Sequence, residues 1–178
     1  MLSTIMVSSN ETMVTEFVLE GFSEHPGLQL FLIGCFLTLY TMSLLGNIVI
    51  IALVTSSPGL HSPMYFFLCN LATMDIVCIS SVLPKTLVGL ISDDNTISFK
   101  GCMAQLFFLV WSGSSELLLL TVMAYDRYMA ICHPLHYSSR MSPHLCGALA
   151  MGVWSICALN ASINTTEHIL HQFTPYSS

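Results

Sequence analysis

The chain has 178 residues, of which 54% are hydrophobic and 8% charged, with a formal net charge of -6. That balance excludes an ordinary water-soluble domain, and with Lys85, Lys100, Arg127 and Arg140 as the only strong cations there is no basic stripe for nucleic acid. A chain of this length holds about four spans of roughly 20 residues with short connections, which predicts an all-α membrane protein built as one membrane unit.

The first segment, 1–27, is polar and carries Glu11, Glu16, Glu20 and Glu24. Its sequon Asn10-Glu11-Thr12, if glycosylated at Asn10, puts the N-terminus outside the cytosol. Met1 to Val7 offers neither a cationic leader nor a small-residue cleavage site, so the first span is expected to act as an uncleaved signal. That span, 28–54, has Asn47 as the one strongly polar residue in its interior. The run Thr55-Ser56-Ser57-Pro58-Gly59 breaks it, and Ser62-Pro63 restarts a helix with a capping hydroxyl and a proline at the first helical position.

The second span, 62–91, opens on the interfacial aromatics Tyr65, Phe66 and Phe67 and holds Asp75 in its interior. Pro84 near its far end removes a backbone donor, which predicts a kink or a loosened last turn. After Asp93-Asp94-Asn95, a third span covers 102–133, long enough to imply tilt or a protruding end, and Pro134 stops it. Ser142-Pro143 repeats the helix-start signature, 144–163 forms the fourth span, and 164–178 reads as a polar tail. Arg127 and Arg140 fall on one side of the membrane and Lys100, with Lys85 near the same end, on the other, a margin too small to set orientation alone.

Two carboxyls share a depth. Asp75 lies twelve residues beyond Pro63, about 18 Å at helical rise, and Glu116 lies eleven residues before Arg127, about 16.5 Å. If the second and third helices are antiparallel neighbours, both acids face one interior pocket, with Asn47 in roughly the same layer. Like charges in a low dielectric either share a proton or hold a cation, so a sodium site or a proton-sharing pair is expected, against the plainer reading of a protonated acid that serves helix packing.

Gly46-Asn47, Pro63-Met64-Tyr65-Phe66-Phe67-Leu68, Asp75, and Met123 to Cys132 followed by His133-Pro134-Leu135-His136-Tyr137 together form a pattern that resembles the olfactory receptors, which are rhodopsin-like G-protein-coupled receptors. The match runs in order from about Thr15 to Trp154. It implies the N-terminal four-helix part of a seven-helix bundle, either a fragment or a shortened product, in the plasma membrane of sensory cilia. It further implies a small volatile odorant as ligand and a stimulatory heterotrimeric G protein as partner.

By the same resemblance, Arg127 faces the G protein after activation, Asp126 restrains it before, Tyr128 belongs to the same switch, and Leu135 supplies an apolar contact. Snorkelling at the interface is the plainer role for Arg127. For odorants the third helix offers Leu106, Leu109, Val110, Gly113 and Ser114 at helical spacing in its outer half, an apolar wall with one hydroxyl, where the same residues equally suit helix packing. Cys102 matches the family's disulfide cysteine, and its partner, expected after the fourth span, has no counterpart here because Cys157 lies too deep. The resemblance fades from Glu167 to Pro175, and the sequons at Asn160 and Asn164 sit in or beside the fourth span, where no glycan is expected.

Histidines at 133 and 136, and at 168 and 171, lack the spacing and glutamate of a hydrolytic zinc helix, so no metal beyond sodium, no other cofactor and no enzyme activity are expected. The rival function is a non-signalling membrane subunit that associates with full-length receptors. Half of a transporter or channel fits less well, since broken helices and an inverted repeat are missing.

Overall fold

The computed structural model describes residues 5–6, 16–18, 26–60, 62–92 and 96–173. Helices α1 (Pro26–Ser56), α2 (Pro63–Ser92), α3 (Phe99–Cys132) and α5 (Pro143–Phe173) are long and apolar enough to cross a membrane, and a short helix, α4 (Pro134–Arg140), joins the last two. The four expected spans are therefore present; α1, α3 and α5 are longer than the runs that announced them, and α2 matches its run in length. Helical hydrogen bonding extends past the apolar stretch because backbone groups near the interface still prefer an internal partner.

Two features depart from the sequence reading. The segment 164–173, expected as a tail, continues α5 as helix. Its polar side chains turn back on their own backbone, as when Thr166 Oγ1 donates to the Ser162 carbonyl at 2.8 Å. The Asn164 amide likewise donates to the Asn160 carbonyl at 2.8 Å, which leaves both sequon asparagines inside a regular helix. As expected, Pro84 lies inside α2, which runs on to Ser92. Beside it, Gln105 Nε2 of α3 donates to the Ser81 carbonyl at 2.9 Å, so the neighbouring helix supplies a donor close to where proline removes one.

The fold is also not purely helical. Strands β1 (Ile5–Met6), β2 (Glu16–Val18) and β3 (Thr96–Ser98) form an antiparallel sheet in the order β1-β2-β3, with Phe17 opposite both Met6 and Ile97. It lies at the end of the bundle where α3 begins, so it ties the N-terminal segment to the loop after α2. Asn10 lies outside the described residues. Ser98 then caps α3 through the Gly101 amide at 3.2 Å, and a Cβ on Gly101 would stand 3.1 Å from that hydroxyl, so glycine leaves the cap its room.

α2 packs against α1 on one side and α3 on the other, while α5 packs along α3 and touches α2 more sparsely. In lipid the hydrophobic effect does not drive one helix onto another, so close packing through small side chains must. α5 meets this with Cys146, Ala150, Val153, Cys157 and Ala161, all buried and recurring at helical spacing. The first four close around Phe67 and Met74 of α2 and Leu119 of α3.

Candidate functional site

At the end of the bundle where α3 meets α4, the chain turns at His133, whose φ of -133° and ψ of 54° are not helical. Pro134 cannot donate the amide that would extend α3, but its ring suits the first position of a new helix. One turn later Tyr137 reaches back. Its hydroxyl donates to Asp126 Oδ1 at 2.8 Å, and Asp126 is only 2% exposed. Burial, and then the hydrogen bond and charge of Asp126, push the Tyr137 phenol up to about 12, although Arg127 pulls the other way.

This arrangement corrects the expected restraint of Arg127 by Asp126. Among the described residues no ion pair joins them; adjacent positions on a helix point about 100° apart, so Asp126 turns inward and Arg127 outward, where it is exposed. Tyr128 is 53% exposed and its ring meets that of His133 at 5.7 Å, edge to face. Leu135 is 92% exposed. Asp126 is thus the anchored member of the motif, and Arg127, Tyr128 and Leu135 are the presented ones.

The second expected constellation is partly assembled. The Asp75 and Glu116 side chains interact directly across the α2–α3 interface. Asn47 is half-buried on α1 and makes no hydrogen bond to either acid among the described residues. No group of three or more histidine, cysteine, aspartate or glutamate side chains able to hold a metal ion occurs among the described residues.

Of the expected odorant wall on α3, Leu109 is exposed and Leu106, Val110, Gly113 and Ser114 are half-buried. Ser112, Ser115, Leu119, Asp126 and Met129 are buried against neighbouring helices. Leu109 is 44% exposed, and Leu117 and Leu120, which continue the stripe through Leu106 and Gly113, are 69% and 50% exposed. Ser114 spends its proton on the Val110 carbonyl at 2.6 Å, so its oxygen is left to act as an acceptor. Cys102 is half-buried near the start of α3, and all seven cysteines are free.

Sequence reasoning gave no role to three residues that now carry structure. Tyr137 was visible only as the end of a motif. Trp111 donates its indole N–H to the Trp154 carbonyl at 3.0 Å, and the two rings meet edge to face at 6.4 Å, locking α3 to α5. Gln105 is the third. Tyr137 could have been found from its place one turn after a helix-starting proline; contacts between distant helices leave no comparable local signal.

With the geometry in view, the likenesses to known proteins are consistent. Residues 46–176 match the family described as "7 transmembrane receptor (rhodopsin family)". The chain is 63% identical over 157 residues to human olfactory receptor 13A1, covering 88% of this chain and 48% of that protein. It is 49% identical over 156 residues to human olfactory receptor 7A17 (88% and 50%), and 47% identical over 156 residues to rat olfactory receptor 1078 (88% and 47%). The chain spans about half the length of the curated relatives it matches. Four membrane-length helices and these matches have one explanation: the chain belongs to the rhodopsin family of seven-transmembrane receptors, and within it is similar to olfactory receptors.

Proposed function

We propose that this chain forms the first four helices of an odorant-binding receptor that couples to a stimulatory G protein, in the plasma membrane of sensory cilia. The observation that carries the coupling half is the division of labour at the inner end of α3. Tyr137 holds the Asp126 carboxylate inside while Arg127 stands exposed, so a positive side chain is free to meet a partner without stranding a buried negative one. Exposed Leu135 adds an apolar contact on the same rim. The odorant half is supported by the partly exposed stripe of α3, whose aliphatic surface suits small volatile molecules once further helices close over it.

The direct interaction of Asp75 with Glu116 favours a shared proton over a bound ion, because sodium would have to part the two carboxyls and recruit further oxygens. Were sodium held there, Asn47, Asp75 and Glu116 would supply its protein ligands. Thermal stability of the purified protein is expected to be indifferent to sodium; stabilisation by sodium that Asp75→Asn abolishes would overturn the shared-proton reading.

The coupling role is tested with a cyclic-nucleotide reporter in cells expressing the receptor that carries this segment, challenged with an odorant panel. Arg127→Ala is expected to abolish the response while surface expression persists. An undiminished response would remove Arg127 from the coupling surface.

A further inference from the structure

The outer half of α2 carries a cation that the bundle leaves unanswered. Lys85 sits seven residues, about 10 Å, short of the outer end of that helix. It is half-buried, whereas Lys100, at the same end of the bundle, is exposed. Among the described residues Lys85 makes no hydrogen bond and no ion pair. Asp75 lies ten residues deeper on the same helix, about 15 Å away, and is engaged there with Glu116. An ammonium drawn out of water without a counter-charge is costly, so the position favours an incoming anion.

A contact between helices fixes what Lys85 faces. Gln105 Nε2 of α3 donates to the Ser81 carbonyl at 2.9 Å and lies 3.4 Å from that of Val82, and Lys85 follows Ser81 by one turn on the same side of α2. Cα–Cβ bonds tilt toward a helix's N-terminus, which for α2 is the inner end, so the Lys85 stem leans back from the outer water toward the level of Gln105. There the apolar stripe of α3 begins. Leu106 adjoins Gln105, Leu109 lies one turn deeper than Gln105 and Gly113 one turn deeper again, and the acid Glu116 closes the series eleven residues, about 16.5 Å, from Gln105.

This flank is therefore positive outside, aliphatic along its length and acidic at its floor, because the Asp75–Glu116 pair keeps a negative charge even when it shares one proton. A guest with an anionic head and an alkyl tail pairs with the ammonium and holds its own charge away from the floor. A cationic amine meets repulsion at Lys85, and a neutral molecule leaves the ammonium without a counter-charge. We propose that Lys85 is the charged anchor of the odorant site and makes it selective for small aliphatic monocarboxylates, whose carboxylate pairs with the ammonium while the tail lies inward along Leu106, Leu109 and Gly113. This assignment rests on the odorant reading given above and supplies its ligand class.

The test uses the receptor that carries this segment, the cyclic-nucleotide reporter, and four probes with a common tail: octanoic acid, methyl octanoate, octanol and octylamine. Octanoate is expected to act at the lowest concentration and octylamine not at all. Lys85→Met and Lys85→Gln are each expected to raise the octanoate concentration needed by about tenfold or more, the scale of one lost charge-assisted hydrogen bond. Surface expression and the weaker methyl octanoate response stay unchanged in both, and Lys85→Arg restores the octanoate response. If Lys85 only packs or snorkels, the acid and ester responses fall together or not at all, and either result would overturn the proposal. So would a receptor that answers the ester and the alcohol but not the acid. Silence to all four probes also overturns it, and the wider odorant panel then separates the two readings: a response to another odorant leaves the odorant reading standing, and none removes it as well.

Discussion

The two ends of α3 are built on different terms. At the inner end, Asp126 is buried and satisfied by a residue eleven positions along the chain, so the motif is complete within one helix, one turn and one short helix. In the outer half, Leu109 is exposed and Leu106 and Gly113 are only half-buried, while Ser112 and Ser115 are fully buried. A switch made of local contacts can be pre-set by this chain alone. A ligand wall needs surfaces from elsewhere before it encloses anything.

The sharpest way to break the comparison is at Tyr137. Tyr137→Phe strands a nearly fully buried carboxylate, and since hydrogen bonds to charged groups are worth about 1.5–3 kcal/mol, a loss of about 2 kcal/mol is expected in thermal or denaturant unfolding of the purified chain. An unchanged stability would mean that Asp126 finds another partner and that the inner end is not anchored as described. The same contact sets a pH limit. The phenol is raised from 10.0 to about 12 in the folded chain, so its neutral form is favoured by folding. Its stabilisation is complete below pH 10 and is lost as pH rises toward 12, a dependence that Tyr137→Phe should remove from an ultraviolet tyrosine titration.

The smallest effect is expected on the outer stripe. A Cβ at Gly113 meets nothing within 4 Å, so Gly113→Leu should change the stability of this chain by less than about 0.5 kcal/mol. Ala150→Leu in the packed α5 stripe, by contrast, should cost about 1–3 kcal/mol through overpacking. Equal losses in the two variants would show that the outer face of α3 is covered after all.

Amphipathic patterning was of little use in reading this chain, because helices immersed in lipid are apolar on nearly every side. What was legible came from length, punctuation and rare polar residues. Ser142 does cap α5, its hydroxyl accepting from the Leu145 amide at 3.3 Å, and Pro134 does end α3. Counting residues from Pro63 and back from Arg127 was enough to bring Asp75 and Glu116 to one depth. It could not show that Asn47 is bonded to neither, nor that Asp126 looks to Tyr137 and not to its neighbour Arg127.

The amino-acid order by itself determined the four spans, their boundaries to within a turn at most ends, and the motif that marks the family. These follow from one-dimensional constraints: a hydrocarbon layer of fixed thickness, the missing amide of proline and the cost of an unpaired charge in lipid. Only the tertiary structure decided which polar groups meet, because a buried donor takes whichever acceptor the packing leaves within reach. Trp111 finds the Trp154 carbonyl 43 positions away and Tyr137 finds Asp126, while Trp154 Nε1 finds no partner among the described residues.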